Sequence, residues 1–102
     1  MQALVYRGKG KLRFEARPKP SIKPDEVLLK NRAVGVCGTD LHIYHGGVAG
    51  VKPGTIIGHE FAGTIAAVGR QVKDLTKGDH VVAEHNVSCK VCYYCRRGKY
   101  NL

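Results

Sequence analysis

The stretch that most constrains the fold of this chain covers residues 58–69 and has the sequence GHEFAGTIAAVG. Its second half, residues 64–68, has the length and the apolar, β-branched composition of a buried strand. Glycine on both sides of the pair His59-Glu60 indicates backbone held in a tight turn or close to another backbone. The pair is therefore expected at the start of a strand, where a rigid scaffold can hold a metal-binding side chain and leave it accessible. An ordinary hydrogen-bonded histidine remains the alternative.

Length and composition predict one domain with a modest core, because the chain has 102 residues and 43% of them are hydrophobic. No apolar run approaches the roughly 20 residues that cross a bilayer. The amino terminus begins with strand-like alternation and has no apolar signal-peptide core. We therefore expect a cytoplasmic protein with no membrane partner.

The net charge of +9 raises the question of nucleic-acid binding. Such binding needs basic residues on one face, usually within a recognisable module. Here the basic residues are scattered along the chain, and no helix-turn-helix or RNA-binding motif accompanies them. We expect no nucleic-acid partner. The charge could instead attract an anionic substrate or cofactor, or it could be balanced by an acidic portion outside this sequence.

Turn residues and alternating apolar residues predict a mainly β fold, a barrel or a sandwich, with little helix. The expected elements are two strands within residues 2–17, an extended connection at 17–24, strands at 27–36, 64–68 and 80–85, a helical turn at 41–45, a loop at 46–54, and a lobe rich in Cys and Tyr at 86–102. Thr39 or Asp40 is expected to cap the helical turn. In the first two strands the candidate inward positions are Leu4, Tyr6, Leu12 and Phe14.

Three of the four cysteines, Cys89, Cys92 and Cys95, fall within seven residues. Thiolates at this spacing can fold around one ion, and soft sulfur favours zinc or an iron–sulfur cluster. A redox dithiol is the alternative, but it normally needs a strand-to-helix context that this sequence lacks. Three ligands do not close a tetrahedral structural site. A fourth must come from beyond Leu102, from a histidine or from water.

The fourth cysteine, Cys37, forms a second candidate site with His59 and Glu60. All three follow or begin predicted strands next to glycine turns, so they could converge at one edge of a barrel. A catalytic zinc takes about three protein ligands of mixed S, N and O type and keeps one position open. The alternative interpretation is a small buried cysteine, a hydrogen-bonded histidine and a surface glutamate.

These residues resemble motifs of the medium-chain, zinc-dependent alcohol dehydrogenase family, particularly its threonine and polyol dehydrogenase branches. The matching segments, which together cover nearly the whole chain, are Gly58-His59-Glu60 with Gly63, Gly69 and Val72, then Cys37-Gly38-Thr39-Asp40-Leu41-His42, then Lys77-Gly78-Asp79-His80-Val81-Val82, and Cys89, Cys92 and Cys95. The third segment departs from the family pattern, which has Arg where His80 stands.

The resemblance implies a GroES-like β-barrel with short helical turns and a Cys-rich zinc lobe. It implies that Cys37 and His59 bind a catalytic zinc ion, with Glu60 as a neighbouring or alternate ligand. Thr39 would hydrogen-bond the hydroxyl of the alcohol, and His42 would help pass its proton to solvent. The structural zinc would be bound by Cys89, Cys92 and Cys95.

Other polar residues near these motifs receive lesser roles. Asp40 is expected to cap or orient rather than to catalyse. No role is assigned to His45, His80 or His85.

The hydride-transfer enzymes of this family also need a Rossmann domain with a Gly-x-Gly-x-x-Gly turn after a strand. This sequence has no such turn, and the family's fourth structural cysteine would fall just past Leu102. We therefore expect residues 1–102 to be an amino-terminal part of the GroES-like catalytic domain. In this interpretation the zinc lobe at 86–102 is truncated, the Rossmann domain is absent, and the chain does not turn over alone.

The resulting prediction is the zinc-binding part of an NAD(P)-dependent alcohol, polyol or threonine-type dehydrogenase that oxidises a small secondary alcohol. Zinc would be the cofactor of the chain, and NAD(P) that of the full enzyme. The face meant for the missing Rossmann domain would be exposed and apolar, so self-association is expected. The alternatives are a non-catalytic zinc module that acts through its basic surface, and an inactive fragment. The zinc-free quinone oxidoreductase branch shares the barrel but would not need the Cys and His ligands.

Overall fold

The structure is a computed structural model that describes residues 1–102, and it is mainly β as predicted. Five strands form two antiparallel sheets, one with the order β1-β2 and one with the order β3-β4-β5. The elements are β1 (Gln2–Gly8), β2 (Lys11–Ala16), β3 (Val27–Gly35), α1 (Gly38–Tyr44), β4 (Glu60–Val68), β5 (His80–Val82) and a 3-10 turn (Cys95–Arg97). No helix is long and apolar enough to span a bilayer.

The hairpin of β1 and β2 has the predicted turn at Gly8-Lys9-Gly10, and it pairs Leu4 with Phe14 and Tyr6 with Leu12. The prediction that all four of these side chains point into a core is wrong, because Phe14 is 79% exposed. Leu4, Leu12 and Phe14 instead line an open apolar cavity. The most buried residue of the hairpin is Val5, on the other face of β1, at 0% exposure.

The second sheet brings the ends of three strands together. Gly35, the last residue of β3, pairs with Glu60, the first residue of β4. β4 begins four residues earlier than predicted, because the pairing with β3 continues through Gly63 to Glu60. β3 ends one residue earlier than predicted, and β5 ends at Val82 rather than at residue 85. The chain therefore leaves the sheet at the edge where residues 59 and 60 lie.

Close backbone contacts require glycine at two positions, one within β4 and one directly after it. A Cβ atom on Gly63 would collide with the carbonyl oxygen of Lys30, and one on Gly69 would collide with that of Pro24. Both glycines are buried. Gly58, before the His-Glu pair, has φ +101°, which favours glycine. The expectation that glycine marks tight turns and close backbone approach around residues 58–69 is confirmed.

The helix α1 starts earlier than predicted, and its N-cap is Cys37 rather than Thr39 or Asp40. Asp40 is the third helical residue, and its Oδ2 accepts a hydrogen bond of 3.0 Å from the Cys37 backbone N–H. This bond satisfies a donor that the helix itself leaves free. The predicted capping function of Asp40 is thus met from inside the helix, and it fixes the backbone at Cys37.

The lobe at residues 86–102 contains little regular structure. Its backbone turns at Lys90, with φ 61°, and at Gly98, with φ 72°. The guanidinium of Arg97 lies 3.8 Å from the ring centre of Tyr93. The core of the whole chain is small: seven of 102 residues are buried, and its apolar members are Ala3, Val5, Tyr6 and Ile65.

Candidate metal centres

The first candidate centre lies at the edge where β3 ends and β4 begins. Cys37 follows β3 by two residues, and His59 directly precedes β4. One ligand atom each from Cys37, His59 and Glu60 lie within 4.8 Å of one another. The structure therefore brings together the three residues that the sequence placed in this site. Thiolate, imidazole and carboxylate form the mixed donor set that suits zinc.

The carboxylate of Asp40 lies beside His59, one of the residues of this centre. It is only 8% exposed, and its Oδ1 is buried without a hydrogen-bond partner. That oxygen lies 3.6 Å from Nδ1 of His59. A carboxylate beside one nitrogen of a ligating histidine fixes the tautomer and leaves the other nitrogen for a metal. The orphaned oxygen is therefore accounted for if His59 donates Nδ1–H toward Asp40 and presents Nε2 as a ligand.

Thr39 and His42 are the two residues expected to transfer a proton. They differ in their position relative to the first centre. Thr39 Oγ1 is 3.8 Å from Cys37 Sγ, at the distance of a weak thiol hydrogen bond. Its hydroxyl is therefore beside the first centre. His42 is exposed near the end of α1, and its backbone carbonyl accepts a hydrogen bond from Gly47. The structure does not place the His42 side chain among the clustered ligand atoms.

A cavity of about 290 Å³ opens at the first centre and is lined by His59, Glu60 and His85, with Phe61, Val82 and small residues between them. The imidazoles of His59 and His85 form an edge contact with ring centres 5.3 Å apart. Sequence analysis assigned no role to His85. Its position follows from where β5 ends, and no motif in the sequence marks that end.

The second candidate centre is the sulfur cluster of the lobe. The Sγ atoms of Cys89, Cys92 and Cys95 lie within 4.8 Å of one another. Backbone N–H groups face two of them: that of Cys92 donates to Cys89 Sγ at 3.3 Å, and that of Cys95 donates to Cys92 Sγ at 3.4 Å. Such bonds stabilise thiolates. The lobe therefore offers three sulfur ligands in a preformed arrangement.

Thiol ionisation in this cluster is uneven. The Ser88 hydroxyl and then the Cys92 thiol, both hydrogen-bonded to the Cys95 sulfur, lower the pKa of Cys95 to about 6. For Cys92, the backbone N–H of Cys95 lowers the pKa, but hydrogen bonds with the Cys95 and Cys89 thiols together with desolvation outweigh it and raise the pKa. Cys95 is therefore the thiol of this cluster that ionises most readily, and the thiolate is the form that binds metals.

The larger cavity, of about 720 Å³, is apolar and lies between the hairpin, the end of β3 and α1. Among its lining residues Phe14, Val34, Val36 and Leu41 are each more than half exposed. A contiguous apolar surface of this kind marks a binding surface or an aggregation risk. It borders the first centre at Gly35, which lines both cavities.

Comparison with known proteins gives consistent matches. Residues 23–102 match the family described as the alcohol dehydrogenase GroES-like domain. The chain is 46% identical over 105 residues to the sorbitol dehydrogenase of Bacillus subtilis, which covers 100% of this chain. Among solved structures, alcohol dehydrogenase TADH from Thermus sp. ATN1 matches with a TM-score of 0.89 and 40% identity, over 99% of this chain and 29% of that one.

A zinc-binding dehydrogenase from Sinorhizobium meliloti, solved with NADP bound, matches with a TM-score of 0.91 and 34% identity, over 99% of this chain and 29% of that one. The predicted GroES-like fold is confirmed by these matches. The chain spans only 30% of the length of the Bacillus subtilis protein.

Proposed function

Because the chain belongs to the zinc-dependent, medium-chain alcohol dehydrogenase family, we propose that it is the metal-binding part of an enzyme that oxidises small alcohols or polyols with NAD(P). The observation that carries the proposal is the first centre. Cys37, His59 and Glu60 offer S, N and O ligand atoms within 4.8 Å, and the cavity beside them is open to a small substrate. The sorbitol dehydrogenase relative supports a polyol as the substrate.

In this proposal Cys37 and His59 hold the catalytic metal, and Glu60 is a third or an exchanging ligand. Zinc, when bound, supplies a Lewis acid that lowers the pKa of an alcohol. Asp40 acts as a positioning residue, because its buried carboxylate faces Nδ1 of His59. The nicotinamide, when bound, supplies the hydride acceptor.

Thr39 and His42 are proposed to move the proton of the substrate hydroxyl. The Thr39 hydroxyl can accept that proton and donate its own onward, and it lies beside Cys37 Sγ. His42 is exposed three residues further along α1, and a neutral imidazole can both accept and donate a proton. It is suited to exchange the proton with water.

The domain proposal treats residues 1–102 as one GroES-like unit with a zinc lobe at 86–102. Cys89, Cys92 and Cys95 would hold a second, structural metal there, since their sulfurs are clustered and none forms a disulfide. Four free cysteines fit a compartment that keeps thiols reduced. We therefore place the protein in the cytoplasm.

The nucleotide cofactor is proposed to bind to a part of the enzyme outside this sequence, which matches only 30% of its relative. The NADP-bound Sinorhizobium meliloti relative supports a nicotinamide cofactor. The apolar cavity between the hairpin and α1 would be covered in the whole enzyme. In the isolated chain we propose that this surface causes self-association.

A chimera tests the proposal. The segment of the Bacillus subtilis sorbitol dehydrogenase that aligns with this chain is replaced by the chain, and oxidation of sorbitol and of other small polyols is followed through NADH formation. We expect zinc-dependent activity that a Cys37→Ser chimera lacks. A folded, zinc-loaded chimera that oxidises none of these alcohols would contradict the proposal.

A further inference from the structure

We propose that His85 determines substrate specificity at the first centre. Its imidazole hydrogen-bonds a second hydroxyl of a polyol whose reacting hydroxyl lies at Cys37 and His59. The inference rests on the proposed function, and it narrows the preferred substrates to alcohols that carry more than one hydroxyl. His85 is assigned to the substrate and not to the metal, because the cluster of ligand atoms contains only Cys37, His59 and Glu60.

The cavity beside the first centre has few polar side chains in its wall. Among the residues that line it, only His59, Glu60 and His85 carry one, and the others are apolar or glycine. The proposed function assigns His59 and Glu60 to the metal. A few polar groups in a mostly apolar cavity fix the orientation of a small ligand. His85 is therefore the lining residue that remains to hold the rest of the substrate.

The two imidazoles lie close enough for one small molecule to contact both. The ring centres of His59 and His85 are 5.3 Å apart, in an edge contact. The cavity that both residues line has a volume of about 290 Å³. A polyol carries hydroxyls on successive carbon atoms. A polyol with one hydroxyl at His59 therefore presents the next one toward His85.

The backbone holds His85 at this wall and leaves its ring nitrogens available. The N–H of Ala83 donates a hydrogen bond of 3.1 Å to the carbonyl of Phe61, which holds the exit of β5 against the start of β4. His85 follows two residues later and is exposed. No side-chain hydrogen bond within the chain involves its imidazole. A neutral imidazole offers one donor and one acceptor, and both suit a hydroxyl.

Ring packing against His59 without any substrate contact is the competing explanation. The chain contains a matched control for it, since the ring of His45 makes an edge contact with Tyr44, with ring centres 5.2 Å apart. His45 is also exposed, but it lines neither cavity. Changing His45 alters an aromatic contact of the same kind away from the first centre.

The test uses the chimera with the Bacillus subtilis sorbitol dehydrogenase described above, loaded with cobalt(II). Butane-2,3-diol and butan-2-ol are titrated separately, and the change in cobalt absorbance gives a dissociation constant for each. The two alcohols differ only in the second hydroxyl, so the ratio of their dissociation constants measures the preference for that hydroxyl. NADH formation by the zinc-loaded chimera gives KM and kcat for the diol. The variants are His85→Phe, His85→Gln and His45→Phe.

We expect the parent chimera to bind the diol more tightly than butan-2-ol. His85→Phe keeps an aromatic ring but has no hydrogen-bonding group, so the preference should fall about 2- to 10-fold, as for the loss of one neutral hydrogen bond. The loss should appear as a higher KM for the diol rather than as a lower kcat. His85→Gln keeps a donor and an acceptor and should retain most of the preference. His45→Phe should match the parent.

The results that would overturn the inference are distinct from those that would overturn the proposed function. If His85→Phe keeps the parent's preference, or weakens binding of both alcohols equally, His85 does not recognise the second hydroxyl and the proposed function stands. A loss in His85→Gln as large as in His85→Phe would also contradict the hydrogen bond. If the folded, zinc-loaded parent oxidises neither alcohol nor sorbitol, the proposed function itself fails. Circular dichroism and elemental analysis confirm the fold and the metal content, and His85→Leu replaces His85→Phe if the latter does not fold.

Discussion

The Oδ1 atom of Asp40 lies 3.6 Å from Nδ1 of His59, although 19 positions separate the two residues in the sequence. The other oxygen of the same carboxylate accepts the backbone N–H of Cys37. One buried carboxylate thus contacts both residues proposed to bind the catalytic metal. It fixes the start of α1 at Cys37 and lies beside Nδ1 of His59.

Substitution Asp40→Asn should weaken metal binding at the first centre by about 10–100-fold, the usual cost of losing an outer carboxylate. The amide oxygen can still accept the Cys37 N–H, but its remaining NH2 group cannot accept a bond from His59. Competition with a chromophoric chelator measures the affinity. Asp74→Asn, at an exposed aspartate, serves as the control, and equal affinities in both variants would refute the positioning role.

The two candidate metal centres show what the sequence could predict. Cys37, His59 and Glu60 were expected to converge because each lies at a strand end next to glycine, and the pairing of Gly35 with Glu60 brings them together. Cys89, Cys92 and Cys95 were expected to converge because their spacing is local. The sulfur cluster needs only local spacing, whereas the first centre also depends on the pairing of two strands that are distant in the sequence.

Gly63→Ala should destabilise the chain by about 1–3 kcal/mol, the usual cost of overpacking. A Cβ atom there would collide with the carbonyl of Lys30 in the neighbouring strand. Urea unfolding measures the change in free energy. Gly38→Ala is the control, because a Cβ there meets nothing within 4 Å; a loss of stability that is no larger at Gly63 than at Gly38 would contradict the contact.

Alkylation of Cys95 in the metal-free chain should have a midpoint near pH 6, because hydrogen bonds from Ser88 and Cys92 lower its pKa to about 6 from 9.0. The thiolate is the nucleophile, so the rate should be high above the midpoint and fall as the pH drops below it. Iodoacetamide labelling mapped by mass spectrometry measures this. Ser88→Ala should move the midpoint upward, and a parent midpoint near 9 would argue against these hydrogen bonds.

Phe14→Gln should reduce self-association of the isolated chain, because Phe14 is 79% exposed and lines the apolar cavity. Sedimentation velocity at several concentrations measures the oligomer distribution. Val87→Gln changes a residue that is 91% exposed but lies in the lobe, outside the cavity. Self-association that persists equally in both variants would place the contact elsewhere.

The incorrect predictions share a physical cause, which is tertiary context. The alternation of apolar and polar residues in β1 and β2 correctly placed Leu4, Leu12 and Phe14 on one face. It does not reveal that no other element covers this face. The N-cap was assigned to Thr39 or Asp40 by side-chain preference. Asp40 instead reaches back to Cys37 from within the helix.

His85 was missed for a related reason. Its proximity to His59 depends on β5 ending at Val82, and the apolar and polar pattern of residues 80–85 predicted a longer strand. A strand end that is set by pairing with another strand leaves no local mark in the sequence.

If both candidate centres bind zinc, the metal content of the chain has a definite value. Protein purified without added metal or chelator is measured by elemental analysis, together with Cys37→Ser and Cys92→Ser. We expect about two zinc ions per parent chain and about one in each variant, since each substitution removes a ligand of a different centre. A parent without zinc, or a zinc content that neither substitution changes, would contradict it.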